Sequence, residues 1–473
     1  MKFEAVIGLE VHSQLKTNVK LFSSSNTDFG SDPNSNVSEV DLGLPGVLPV
    51  INSKAVDLAI LAGLSTNCTI NSRSTFARKH YFYPDLPKGY QISQYDEPLA
   101  TGGHIDILAP NEKTKKIRIN RIHMEEDAGK LIHDLSDEYS MIDLNRAGVP
   151  LVEIVTEPDI SSSEEAIEYL KKLRNILVFA GVSDCNMEQG NFRCDANISV
   201  RRAGSSKLGT KAEIKNVNSF RFVQKAIEYE IDRQIKLIQD GGKVAQETRL
   251  FNSASNKTYA MRSKEDAHDY RYFPDPDLQP LLLSEERITK ILNSMPESVD
   301  DKMNSYLNEL HLSQEEVDIL LSDKVLSDFF DCTLKYINEP KMICNWILSE
   351  IIRYINQDNF VLSEENFARL IQAIVEGTIN SNSAKEILSK IVETNDSVDD
   401  VINKLGLQQE SSEEFLNNII DKVIKDNSDE YDRILNGETK LIAFFVGQTM
   451  KATQGKGNPQ VINKILKEKF NIS

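Results

Sequence analysis

No stretch of the 473-residue chain approaches the roughly 18 uninterrupted apolar residues a membrane-spanning helix needs, which excludes a helical membrane protein. The amino terminus meets Glu4 too early for the apolar region of a signal peptide. Cysteine is scarce. Cys68, Cys185, Cys194, Cys332 and Cys344 are odd in number and lack any paired metal-type spacing, so reduced thiols in a cytoplasm are expected rather than a disulfide framework. Neither a Gly-x4-Gly-Lys-Ser/Thr loop nor a His-Glu-x2-His helix occurs, which argues against a P-loop kinase and a zincin. A thiol nucleophile has no local support either, because alternation turns Cys194 to an apolar face and Cys185 has no histidine near it in sequence.

Positive charge is also in deficit. A formal net charge of -18 argues against wholesale wrapping of nucleic acid, since backbone neutralisation needs Lys and Arg. The balance is uneven along the chain: Val392 to Gly437 holds 12 acidic against 4 basic residues, whereas Glu438 to Ser473 holds 6 basic against 2 acidic. The basic end is either an RNA contact or a solvated face. Glycine, proline and strand alternation are concentrated before about residue 290, and helical spacing dominates after it. A chain this long predicts roughly two to four domains.

Several segments before that boundary alternate in the two-residue period of a strand, which puts every second side chain on one face. Phe3 to Leu15 sets Gly8, Glu10 and His12 opposite Ile7, Leu9 and Val11. Ile119 to Lys130 projects Arg121, His123 and Glu125 together, and Leu151 to Glu157 sets Glu153 opposite Val152 and Ile154. Arg193, Asp195, Asn197 and Ser199 share a face, and Lys211, Glu213 and Lys215 repeat the pattern next to it. Helices are expected from Ser53 to Leu64, after a cap at Ser163, and from near Ser219 to Asp240-Gly-Gly. Independent surface strands would show the same alternation. An antiparallel sheet curved so that these faces line a concavity would instead gather at least five carboxylates and a histidine, a set that demands divalent cations. Oxygen-rich ligation with one imidazole suits magnesium or manganese better than zinc, and phosphoryl transfer is the chemistry such a site supports.

Two loops carry further candidates. Phe76 to Gln91 is dense in aromatic and basic residues around two prolines; Arg78, Lys79 and Lys88 would hold phosphates there, or the segment is ordinary aromatic packing. Met261 to Pro280 offers Arg262, Lys264, His268 and Arg271 to the phosphates of ATP or of an RNA end, or to ion pairs with Glu265, Asp266 and Asp269. Beyond residue 290, Trp346 is expected in a helical core, and Gly455-Lys-Gly, near Lys451 and Lys456, is either a phosphate grip or a helix connection.

Taken together, Ile7-Gly-Leu-Glu-Val-His-Ser-Gln-Leu15, Leu44-Pro-Gly-Val-Leu-Pro49, Tyr81 to Gln91, His123-Met-Glu-Glu-Asp-Ala-Gly-Lys130, Asn145 to Ile154 and Asp269-Tyr-Arg-Tyr-Phe-Pro-Asp-Pro-Asp-Leu278 resemble the B subunits of the bacterial aspartyl/glutamyl-tRNA amidotransferases. The resemblance implies an α+β chain: a glutamine-synthetase-like antiparallel cradle over residues 1–292, a helical domain over 293–404 and a tRNA-binding tail over 405–473. It implies a metal and kinase site on Glu10, His12, Glu125 and Glu153, with Asp195 and Glu213 as further candidates; His123 and Glu126, on the same stretch as Glu125, are then supporting or structural candidates. ATP and magnesium (or manganese) would activate the side-chain carboxylate of Asp-tRNA(Asn) or Glu-tRNA(Gln). Ammonia would come from a glutaminase A subunit in a heterotrimer that includes a small C subunit, with no membrane partner. Some relatives carry cysteines where Phe22 is followed here by Ser23, Ser24 and Ser25, so no zinc is expected. Two rival readings use the same residues. One is a non-catalytic tRNA-binding adaptor with a structural metal ion, and the other a metal-dependent phosphohydrolase or nuclease.

Overall fold

The computed structural model describes residues 2–110, 113–132, 138–263, 270–357, 359–408, 412–435, 438–453 and 456–470, in two compact units, 1–301 and 302–473. The principal strands of the first, in chain order, are β1 (Phe3–Gln14), β2 (Thr69–Ile70), β3 (Ala77–His80), β4 (Tyr90–Ser93), β5 (Ala100–Leu108), β6 (Thr114–Glu126), β7 (Pro150–Thr156), β8 (Phe192–Arg202), β9 (Ala212–Lys215), β10 (Glu247–Asn252), β11 (Lys257–Ser263) and β12 (Phe273–Pro274). Its helices include α1 (Ser53–Ser65), α2 (Ser163–Phe179) and α3 (Phe220–Gln239). Among the described residues nine strands form one sheet in the order β11-β10-β9-β8-β1-β7-β6-β5-β2.

The amino-terminal strand is the middle of this sheet. Ile7, Leu9 and Val11 are fully buried on one face, where they join Val152 and Ile154 of β7, Ile198 of β8 and the apolar stripes of α2 and α3 in one core. That core holds the polar face of β1 in place: a one-residue slip would drive Glu10 and His12 into it. The helix starts follow the expected caps, with one shift. Ser162, not Ser163, caps α2 by accepting from the Glu165 backbone N–H. Ser163 is already helical, and its hydroxyl donates to Glu228 on α3.

The cradle was expected to be antiparallel, and the sheet is mixed. β9 and β10 run parallel, because the 20 residues of α3 lie between them and a helical crossover returns the chain in its original direction. A smaller sheet, β12-β3-β4, carries the aromatic and basic segment.

The second unit is helical among its described residues. Trp346 is buried there, as its helical spacing predicts, and ends the helix Pro340–Trp346 where a π-turn, Ile347–Ile351, follows. Leu416, Ile420, Phe445, Ile462, Leu466 and Phe470 form a separate apolar core at the carboxyl end. Among the described residues, no helix is long and apolar enough to cross a membrane.

Candidate active site

Four adjacent strands place one residue each in a single row across the polar face. Arg193 of β8 pairs in register with His12 of β1, His12 with Glu153 of β7, and Glu153 with His123 of β6. The row therefore sets Glu153 between two imidazoles, with the Arg193 guanidinium at its end. Glu125 stands two residues along β6 from His123, on the same face, and the diagonal brings it back toward His12. His12 Nε2 lies 3.6 Å from Glu125 Oε1 and 3.5 Å from Glu153 Oε2. His123 Nε2 lies 3.1 Å from Glu153 Oε2 and 3.6 Å from Glu125 Oε2. Ser93 Oγ of β4 donates to Glu125 Oε2 at 3.1 Å.

The electrostatics follow from this interleaving. Burial alone would push both carboxyl groups up, but the two imidazoles outweigh it and hold Glu125 below, and Glu153 well below, the usual carboxylate range. Burial likewise opposes charge on the histidines. Glu153 and Glu125 overcome it, so His12 is raised and His123 reaches about 9. One wall of the group is fixed by Asp127, which takes bonds from Arg193 at 2.9 Å and from Gln14 Nε2 at 2.8 Å.

Of the four residues the resemblance pointed to, three come together. Donor atoms of His12, Glu125 and Glu153 all lie within 4.8 Å of one another. Glu10 shares their face yet stands outside this trio, accepting from Asn197 Nδ2 at 2.7 Å. It belongs with a second acidic group: Lys215 Nζ sits 2.5 Å from Asp195 Oδ2 and 3.7 Å from Glu213 Oε1, and Thr248 Oγ1 donates to Glu213 at 2.8 Å.

A cavity of about 1000 Å³ runs along this region, lined by residues that include Lys79, Tyr81, Asp85, Lys215, Tyr270 and Arg271. The three predicted phosphate-binding cations divide sharply. Arg78 is held by Asp275 and Asp277 at 2.8 Å each and lies 4.3 Å over the Tyr90 ring. Lys88 is paired with Glu126, whose Oε1 also accepts the Ile92 N–H at 2.9 Å. Of these three, only Lys79 lines the cavity, and it has no ion pair among the described residues. Burial opposes its charge, and the nearby Tyr272, Glu125 and Glu153 more than offset this, raising its pKa. The Arg262 side chain, Lys264, His268 and Gly455 lie outside the described residues.

Sequence reasoning assigned His123 a supporting role and gave Arg193 none, although both complete the central row. The parity signal was present in each strand. What alternation lacks is register, and only register puts His123 opposite Glu153.

Comparison with known proteins identifies the family. Residues 5–289 match the model of the GatB/GatE catalytic domain, and residues 328–470 that of the GatB domain. The chain is 52% identical over 474 residues to a protein of Persephonella marina, covering 99% of each chain. It is 52% identical over 477 residues to one of Thermodesulfovibrio yellowstonii, covering 99% of this chain and 100% of the relative. Both relatives are named as B subunits of an aspartyl/glutamyl-tRNA(Asn/Gln) amidotransferase. The sheet, the acidic row and these matches along nearly the whole chain agree, and the chain belongs to the family of aspartyl/glutamyl-tRNA(Asn/Gln) amidotransferase B subunits.

Proposed function

We propose that this chain is the component that activates and amidates the side-chain carboxylate of Asp-tRNA(Asn) or Glu-tRNA(Gln), using ATP and ammonia delivered by a glutaminase A subunit in a cytoplasmic heterotrimer with a small C subunit. Activation is needed because a free carboxylate offers ammonia no competent leaving group. Phosphorylation supplies one. The observation that carries this reading is the cluster of His12, Glu125 and Glu153 on the sheet face, with Lys79 within electrostatic reach of both carboxylates.

The residues fit a divalent cation. The 3.5–3.6 Å separations of His12 from the two carboxylates exceed a good hydrogen bond, and the 4.8 Å limit on donor spacing matches oxygen and nitrogen ligands each at roughly 2.0–2.6 Å from one ion. A magnesium or manganese ion held by His12, Glu125 and Glu153 would neutralise phosphate charge and align it for transfer. His123 keeps Glu153 and Glu125 ionised and oriented. Lys79 supplies a cation beside them, and Glu10, Asp195 and Glu213 form the far acidic group.

The architecture we assign is a glutamine-synthetase-like cradle over 1–292, a helical domain over 293–404 and a tRNA-binding tail over 405–473. The tail's own apolar core and its basic end support the last boundary. The reconstituted heterotrimer should cleave ATP only with magnesium and a mischarged tRNA, and Glu125→Gln should abolish both cleavage and amide formation. Full turnover of Glu125→Gln, combined with loss of tRNA affinity on deletion after Gly437, would favour the adaptor reading instead.

A further inference from the structure

The segment Tyr270-Arg-Tyr-Phe holds one residue in a conformation its chemistry does not favour. Arg271 has φ of 48°, the left-handed region that costs an L-residue with a Cβ and is ordinarily left to glycine or asparagine. Such a conformation persists only where the flanking chain is fixed. Here it is. Tyr272 stacks on Tyr95 with ring centroids 4.2 Å apart, and Phe273 stacks on His80 at 4.9 Å while pairing with Arg78 in the small sheet. Tyr270 sits edge-on to Tyr81 at 6.3 Å, with Lys79 Nζ 5.0 Å from its ring centroid.

The chain is thus pinned on both sides of Arg271, which lines the large cavity together with Lys79 and Lys215. The other cations of this wall already have partners. Lys215 is bound to Asp195, Arg78 to Asp275 and Asp277, and Lys88 to Glu126. Lys79 is balanced by the charge of Glu125 and Glu153 nearby. Arg271 is exposed in the cavity, and among the described residues no carboxylate or other hydrogen-bond partner meets its guanidinium. A strained backbone that presents a guanidinium to a cavity is a poor stability device and a good anion clamp.

We propose that Arg271 is a catalytic residue of the activation step, its guanidinium bonding the phosphate oxygens of ATP while the γ-phosphoryl group passes to the tRNA-linked carboxylate. The inference rests on the function proposed above. In that step a carboxylate oxygen forms a bond to the γ-phosphorus as the bond from that phosphorus to the β,γ-bridging oxygen breaks. The electron pair remains on ADP and no proton moves. An arginine cannot act as acid or base at neutral pH, so its part is charge and hydrogen bonding to oxygens whose charge shifts as the bond breaks.

The test uses the assembled heterotrimer, the form in which the proposed function places tRNA-dependent ATP cleavage. Arg271→Gly and Arg271→Asn both tolerate the left-handed backbone and remove the guanidinium. Each should lower kcat for ATP cleavage roughly 100-fold or more, with KM for the mischarged tRNA and glutamine hydrolysis by the partner unchanged. Added guanidinium ion at millimolar concentration should restore part of the rate in Arg271→Gly and none in Arg271→Asn, whose side chain fills the space. Arg271→Lys should fall between, keeping charge and losing the fork. ATP cleavage within twofold of the unsubstituted enzyme in either neutral variant, or a change confined to KM for tRNA, would overturn the assignment. If the unsubstituted heterotrimer itself cleaved no ATP, the activation reading would fail first, and the assignment with it.

Discussion

Lys20 and Asp41 form a pair whose two halves should have very different worth. The Lys20 side chain is 0% exposed and Asp41 is 4% exposed, with Nζ to Oδ2 at 3.3 Å. Apart from Asp41, the only partner of the ammonium among the described residues is the Leu144 carbonyl at 3.4 Å. Asp41 is far better supplied: Ser23 Oγ and Ser25 Oγ donate at 2.8 Å, Ser38 N–H at 2.8 Å and Ser38 Oγ at 3.0 Å. Asp41→Ala therefore strands a buried cation, which costs about 3–5 kcal/mol. Lys20→Met leaves a carboxylate that keeps four donors, so the loss should be nearer the ~1.5–3 kcal/mol of one charge-assisted hydrogen bond. Lys20→Met/Asp41→Leu removes both charges and should recover most of the deficit. Urea unfolding followed by circular dichroism measures all three, and Trp346, the sole tryptophan, lies in the other unit and reports that unit separately by fluorescence. A Lys20→Met cost equal to or above that of Asp41→Ala would refute the reasoning.

Acid should erase the same contribution. Burial pushes Asp41 up, but the Ser38 backbone, Lys20 and the serines outweigh it and leave its pKa below the usual value. The stabilisation is therefore complete above the unfolded-state pKa near 3.9 and disappears as pH falls through the lower folded value; the gap between the native chain and Asp41→Asn in unfolding free energy should close between about pH 5 and pH 2. Gly103→Ala should destabilise the first unit by about 1–3 kcal/mol, because its Cβ would sit 2.2 Å from Cys68 Sγ and 2.5 Å from the Thr66 carbonyl; a neutral thermal shift would show that β5 has room to move. Manganese titrated into the chain and followed by electron paramagnetic resonance should bind tightly to the native protein and at least 10-fold more weakly to His12→Ala, whereas Glu10→Gln should change affinity less. Equal losses would place Glu10 among the ligands. Arg78→Ala should lower stability with little effect on KM for ATP, since its guanidinium is held by Asp275 and Asp277.

The sequence was most informative within single strands. Alternation in Phe3–Gln14 and Thr114–Glu126 correctly separated Glu10 and His12 from Ile7 and Leu9, and His123 and Glu125 from Ile122 and Met124, because parity is local. Which acids actually meet is a matter of register between segments more than a hundred residues apart, and no local signal carries it. For that reason alternation makes Glu10 look equivalent to His12 and does not show that His123 faces Glu153. The same limit applies to charge: Arg78 and Lys88 read as free cations until Asp275 and Glu126 come against them. The parallel β9/β10 pair was illegible for another reason. A strand of 4 residues and a helix of 20 look the same in sequence whichever way the chain returns.

The middle position of β1 has a consequence for how the molecule is made. It leaves the ribosome before every other strand of its sheet, yet its neighbours are β7, which begins at Pro150, and β8, which ends at Arg202. At translation speeds of about 5–20 residues per second, β1 waits on the order of 10 s or more with both edges open. During that interval Ile7, Leu9 and Val11 are an unpaired β-prone run, the kind of segment that holdase chaperones shield and that aggregates when they do not. Demand for chaperone protection during synthesis is thus built into a topology that puts the oldest strand at the heart of the sheet.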